Sequence, residues 1–235
     1  MQKKLLLFIL LSLSFVSIAP AQKVGLTIQY IETKRIPPEI QKMTDLSKKQ
    51  IAIRQLSKYH KPYTLYAFGD EAVFSTMGIS SNAITLQGNG SVYTNSKTHQ
   101  SISIQNIIDK SFVVKSDSMR NQWEIFSQDT MQILGKRCMK AVYKKNKNVI
   151  AWFCDEVPFA VGPDGFLGLP GAILKLTTYI SVYEATGMGI VKDKVTINLP
   201  KGKYMKEADF YALRKKKMAE LKAANGGSNV IVLKI

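Results

Sequence analysis

Apolar and polar residues alternate in the first patterned stretch of the chain, Val24, Leu26, Ile28 and Tyr30 against Gly25, Thr27 and Gln29. That period of two predicts a strand with one buried face. Pro37-Pro38 then opens a helix expected over about 38–58, because proline suits the first helical turn. Ile40, Met43 and Leu46 supply its ragged apolar stripe, and Pro62 ends it. From Tyr63 to Leu199, short apolar or alternating runs such as Ile102–Ile104 and Phe112–Val114 are separated by turn residues. The turns are Gly69-Asp70, Gly88-Asn89-Gly90, Asp109-Lys110, Ser116-Asp117 and Leu134-Gly135-Lys136. Strands at this spacing predict an antiparallel meander. Lys206 to Ala224 reads as a second helix, with Phe210, Leu213, Met218 and Leu221 on one face and Asn225-Gly226-Gly227 as its stop. Val230 to Ile235 reads as a last short strand on a sheet edge. The expected fold is mainly β (α+β). It has one curved antiparallel sheet, open like a half-barrel, with a helix in the N-terminal half and another at the C-terminus.

The residues ahead of this pattern have a different character. Met1-Gln2-Lys3-Lys4 is basic, Leu5 to Ile18 is an apolar run of 14 residues, and Ala19-Pro20-Ala21 is a small-x-small site. A membrane span needs about 20 apolar residues, so residues 1–21 read as a secretory signal cleaved before Gln22. No cysteine follows the run to carry a lipid anchor. Residues 22–235 are then one exported β-rich domain, soluble in the periplasm or outside the cell. Its 214 residues are enough for a single well-buried core. The formal charge of +16 becomes +14 once Lys3 and Lys4 are removed. A surface so cationic favours anionic contacts such as lipid headgroups or acidic glycans, or simply aids solubility. The basic residues are scattered and no nucleic-acid motif is present, so no nucleic-acid partner is expected, and a monomer is the default.

Cys138 and Cys154 are the two cysteines of the chain. Between them lie an apolar run, the polar stretch Lys144-Lys145-Asn146-Lys147-Asn148 and a second apolar run, which is the signature of a hairpin. A turn centred on Asn146 makes residues whose numbers sum to 292 face one another, and 138 and 154 satisfy that sum. Facing Cα atoms lie about 4.5–5.5 Å apart, within disulfide reach. A structural disulfide is therefore expected in an exported protein, with two free thiols as the alternative. The register puts Met139, Ala141, Tyr143, Val149, Ala151 and Phe153 on the core face. Cys138, Lys140, Val142, Ile150, Trp152 and Cys154 take the other, where Lys140 could sit over the Trp152 ring.

The segment from Asp155 to Leu174 has three prolines and four glycines, which forbid a regular helix. Asp164 is its only charge between Glu156 and Lys175, so the loop should pack onto the domain. Gly168 and Gly171 allow left-handed backbone or close approach. The stretch resembles the GLPGLI family of exported Gram-negative bacterial proteins, whose function is not established. The resemblance rests on Ala151-Trp152-Phe153, Val157-Pro158, Gly162-Pro163, Phe166 and Gly168-Leu169-Pro170-Gly171-Ala172-Ile173-Leu174. Ile133-Leu134-Gly135-Lys136 and Lys140-Ala141 resemble the family's lead-in strand. Ala172 stands where the family's name implies leucine, which keeps the site apolar but makes it smaller. The likeness is loose outside about 131–176. It implies a compartment and a fold type, not a reaction.

Catalytic signatures are missing. His60 and His99 have no partner at ligand spacing, no GxSxG or HExxH occurs, and there is no CxxC. Asp155-Glu156 and Asp70-Glu71 are adjacent pairs whose side chains diverge in extended chain. No catalytic residue, metal ligand or cofactor is assigned. The leading expectation is an envelope binding or carrier domain for an apolar small molecule, a lipid or a partner segment. Trp152, Pro158, Phe166, Leu169, Pro170 and Ile173 would then form the binding wall, shaped by Gly162, Gly168 and Gly171. An assembly module that binds another envelope protein is the second expectation, and a hydrolase with two carboxylates about 10 Å apart or closer is the third.

Overall fold

The computed structural model describes residues 24–76, 78, 82–117 and 122–224. The predicted secretory signal and the predicted last strand lie outside the described residues. Alternation at the start gives β1 (Gly25–Lys34), and Pro38 opens α1 (Pro38–Gln41). The single helix expected over 38–58 is broken in two. Asp45 starts α2 (Leu46–Ser57) afresh by accepting a hydrogen bond from the Lys48 backbone N–H at 3.0 Å. Ile40 is buried, whereas Leu46 is 70% exposed, so the predicted stripe does not serve one core face.

A run of short strands follows: β2 (His60–Phe68), β3 (Glu71–Ser75), β4 (Ala83–Thr85), β5 (Val92–Asn95), β6 (Gln100–Ile107) and β7 (Lys110–Ser116). Then come β8 (Trp123–Ile133), β9 (Lys136–Tyr143), β10 (Ile150–Cys154), β11 (Ala172–Thr177), β12 (Ser181–Val191), β13 (Thr196–Asn198) and β14 (Met205–Lys206). The C-terminal helix is α3 (Glu207–Ala224), within one residue of its expected start. Twelve strands form one open sheet in the order β14-β7-β6-β5-β3-β2-β1-β12-β11-β10-β9-β8. Its ladders are antiparallel except for the pairing of β14 with β7, so the sheet is mixed rather than wholly antiparallel. β4 and β13 form a separate parallel pair, and no barrel closes. No helix among the described residues is long and apolar enough to cross a membrane.

Each sheet face has its own cover. One face carries Leu26, Ile28, Tyr30, Leu65, Phe74, Ala151 and Phe153 in the main core, joined there by Val157, Phe166 and Leu169 from the glycine-proline segment. The other face carries Tyr66, Val73, Tyr93 and Ile102 beneath Ile84, Leu86 and Val195 of the small parallel layer. Tyr66 there receives a hydrogen bond from the Val195 backbone N–H at 2.9 Å. A third cluster seats Phe210 of α3 against Ile107 and Val114.

The hairpin register is the expected one, with Ile150 opposite Val142, Ala151 opposite Ala141 and Phe153 opposite Met139. The disulfide is not formed. Cys138 and Cys154 are free thiols on the paired strands, each fully buried. Burial is the main cause that pushes the Cys138 thiol up to about 12, with the charge and hydrogen bond of Cys154 adding to it. Lys140 also departs from expectation. Its ammonium lies over the Phe126 ring at 5.6 Å and pairs with Asp129 at 2.7 Å, both on β8, rather than over Trp152.

The folded protein should therefore resist alkylation by iodoacetamide at neutral pH and take up two equivalents in guanidinium chloride, as counted by intact mass. Fast labelling of the folded state would contradict the burial.

Candidate functional site

The segment 155–171 folds back on itself and seals half of the inner sheet face. Gly168 N–H donates to the Ala160 carbonyl at 3.1 Å, Ala172 N–H to Val157 at 2.9 Å and Ile173 N–H to Val161 at 2.9 Å. Two buried side chains hold the plug and the start of β11 that follows it. Tyr30 Oη donates to the Ile173 carbonyl at 2.6 Å, and Trp123 Nε1 donates to the Leu167 carbonyl at 2.8 Å. Trp123 and Tyr143 also meet Phe166 at ring distances of 5.7 and 5.4 Å. Gly171 is required by close approach, because a Cβ there would sit 2.0 Å from the Cys154 carbonyl oxygen.

The proposed wall residues divide. Phe166, Leu169 and Ile173 are buried in the core, with Leu169 1% exposed, and Phe166 also borders a cleft of about 500 Å³. Trp152 is half-buried against the same core, and Pro170 is exposed. Pro158 is exposed beside a cleft of about 440 Å³ that it shares with Phe159, Val161, Leu167 and Gly168. Gly162 is buried against Ile173, while Gly168 takes positive φ at an exposed turn. Ala172, fully buried opposite Cys154, occupies the smaller version of the motif.

Beyond the plug the inner face is open and polar. Cross-strand register places Thr94, Ser101 and Ser116 side by side on β5, β6 and β7, and Val92, Ser103 and Val114 in the next row. These residues floor a cleft of about 390 Å³ walled by Glu207 and Tyr211 of α3. Ser116 Oγ donates to Glu207 Oε2 at 2.6 Å. A second cleft of about 500 Å³ adjoins it, lined by Glu32, Lys34, Tyr59, Lys61, Tyr183 and Arg214 among others. Asn89, Gly90 and Asp164 border both. Asp164 is held there by a left-handed backbone, φ 53°, between buried Pro163 and Gly165.

Glu32 is the most deeply placed charge in the clefts, 3% exposed. It sits opposite Lys61 on β2 and opposite Tyr183 on β12. Burial alone raises its pKa, but that effect is outweighed by hydrogen bonds from Lys34 and Ser181, the Lys34 charge and a hydrogen bond from Tyr59. The carboxyl stays below the ordinary glutamate value. Ser181 Oγ reaches Glu32 Oε1 at 2.6 Å and Tyr59 Oη reaches Oε2 at 3.2 Å. A carboxylate held ionised with both oxygens occupied is set opposite to a general acid, which needs a raised pKa. No cluster of three or more His, Cys, Asp or Glu among the described residues is arranged to hold a metal ion.

Residue reading from the chain missed Glu32, Lys61 and the Thr94–Ser101–Ser116 row. A signal existed. Glu32 and Lys34 continue the buried parity of Leu26, Ile28 and Tyr30, and Lys61 that of Tyr63 and Leu65, so charges were due on the inner face.

Because the folded pKa of Glu32 is depressed, its stabilisation is complete above about pH 4.5 and disappears as pH falls through the lower folded value. Glu32→Gln should cost about 3–5 kcal/mol at neutral pH by stranding buried Lys34. Urea unfolding should show the gap to the parent protein closing under acid. A gap that does not change with pH would contradict this assignment. Gly171→Ala should destabilise by more than the about 1–3 kcal/mol usual for overpacking, since the obstacle is backbone. A midpoint within error of the parent protein would contradict the close approach.

A sequence profile for the family described as "Protein of unknown function (Porph_ging)" matches residues 95–175, about a third of the chain. No curated protein matches the chain. The profile spans the plug, β8 to β10 and the hydroxyl-bearing strands β6 and β7 of the cleft floor, so the chain is similar to an uncharacterised family across part of its candidate site.

Proposed function

We propose that this protein is an exported binding domain of the cell envelope whose ligand lies in the polar clefts on the inner sheet face. The observation that carries the reading is the division of that face. The glycine-proline plug fills one half with core, and the other half is left as two adjoining clefts that meet at Asn89, Gly90 and Asp164. The sequence-level resemblance to the GLPGLI family and the predicted signal at residues 1–21 support the compartment. The ligand is polar rather than apolar, because Leu169 and Ile173 of the expected greasy wall are spent on the core and the floor of the adjoining clefts bears hydroxyls and charges. Preformed concave sites with a few placed polar groups are the ordinary form of small-molecule sites.

The test is native mass spectrometry of the purified mature protein after exposure to envelope extract split into water-soluble and organic-soluble pools. An adduct from the water-soluble pool should appear and should be absent in Ser103→Trp, which fills the cleft floor. An adduct from the organic pool alone, or one indifferent to Ser103→Trp, would defeat the reading.

A second reading, an assembly module, is favoured by β8. It is an edge strand of 11 residues with Ile125 47% and Phe126 38% exposed, and such edges accept an added strand. A stoichiometric protein partner lost on Ile125→Asp, with no small-molecule adduct, would favour this reading over the cleft.

A further inference from the structure

The two clefts differ in charge. Three cations, Lys34, Lys61 and Arg214, line one of them. Lys34 is matched by Glu32 at 2.5 Å. Among the described residues, no carboxylate pairs with Lys61 or Arg214. Lys61 donates to a neutral acceptor, the Asn89 carbonyl at 3.2 Å, and lies over the Tyr63 ring at 5.1 Å. Its cross-strand neighbour Glu32 already has Lys34, Ser181 and Tyr59 on its oxygens. Burial draws the Lys61 pKa down, Glu32 raises it and Lys34 lowers it further, with a net shift downward. A partly desolvated ammonium whose nearest carboxylate is already paired with another lysine is a place where an anionic group is favoured. Hydroxyls from Tyr59, Tyr179, Thr178 and Ser181 stand around the same cleft.

Among the described residues, the lining of the other cleft includes no cation. Its floor is the row Thr94, Ser101 and Ser116 with Ser103 and Gln105 beside it, and Asp164 and Glu207 stand at its walls. Hydroxyl, amide and carboxylate groups arrayed on a flat sheet face match a ligand that bears many hydroxyls. They do not match a peptide, which would seek an exposed strand edge or apolar side-chain pockets.

Resting on the cleft reading above, we propose that the ligand is an anionic saccharide. Lys61 and Arg214 hold its acidic group, and Asp164 and the Thr94–Ser101–Ser116 row hold its hydroxyls. The acidic group is a carboxylate or phosphate on a sugar, and the ligand spans both clefts past Asp164. Arg214 belongs to α3 and Lys61 to β2, so the site is assembled from the two ends of the chain.

The experiment is isothermal titration calorimetry of the mature protein with trigalacturonate, maltotriose, inorganic phosphate, triglutamate and phosphatidylglycerol vesicles. Trigalacturonate should bind at least about tenfold more tightly than maltotriose and weaken with added salt. Lys61→Met and Arg214→Gln should each reduce that binding by about tenfold or more while leaving the urea midpoint near the parent value, and Ser101→Val should reduce it less. Equal affinity for maltotriose would remove the anionic requirement and overturn the proposal. Equal affinity for phosphate alone would overturn the saccharide, and equal affinity for triglutamate would turn the site into a peptide site. Vesicle binding indifferent to Lys61→Met would assign the affinity to the general cationic surface and overturn it too. If envelope extract yields a water-soluble adduct sensitive to Ser103→Trp but trigalacturonate does not bind, the cleft stands and the anionic saccharide falls. If neither binds, both fall.

Discussion

The hydrogen bond from Tyr30 to the Ile173 carbonyl joins the first strand to the start of β11, just past the glycine-proline plug, at full burial. Its counterpart from Trp123 to Leu167 fastens the plug at the other flank. The constraint they answer is a general one. A large open sheet exposes a face that must be covered, and the helices of this chain do not cover it. α2 leaves Leu46 and Ile51 in solvent, and α3 reaches the main sheet chiefly through Phe210. The cover is therefore irregular chain, which carries unpaired backbone groups into the interior unless they find partners. The plug meets that demand by bonding through Val157, Ala160 and Val161 to itself and to the start of β11, and through Leu167 to Trp123, while Tyr30 holds the strand that follows it.

The same arrangement determines where a ligand can go. Leu169 and Ile173, which resemble part of a binding wall when read along the chain, are consumed in sealing the core. What remains accessible is the part of the inner face that the plug does not reach, and there the inward positions are Thr94, Ser101, Ser103 and Ser116 rather than leucine or valine throughout. Asp164, the only charge between Glu156 and Lys175, is delivered to the border of that region by a turn that only a few residue types tolerate. Core closure and cleft formation are thus two results of one segment.

The local pattern was legible in the chain. Alternation identified β1, the sum rule gave the β9–β10 register, and the C-terminal helix began within one residue of its expected position. Long-range facts were not. Nothing near Met205 announces that it pairs in parallel with Val114, and β4 and β13 are brought together across more than a hundred residues. The split of α1 from α2 turned on one side chain, Asp45, whose capping role competes with continued helix. The two cysteines lie on paired strands as expected, yet they are buried and unbonded. At the site the difficulty lay in interpretation. Charged residues on the buried parity of β1 and β2 were visible, but whether such a position ends a strand or lines a cavity depends on what the distant plug covers.

The attachment of α3 has its own implication. This helix brings Glu207, Tyr211 and Arg214 to the clefts but is seated by a small cluster around Phe210 and follows a two-residue parallel pairing. The opposite wall belongs to strands with long ladders and a shared core. Opening free energies in such a molecule are unequal, so the helical wall can swing away while the sheet and the plug remain intact. Entry and exit of a bound molecule would then be limited by detachment of one helix rather than by the stability of the domain.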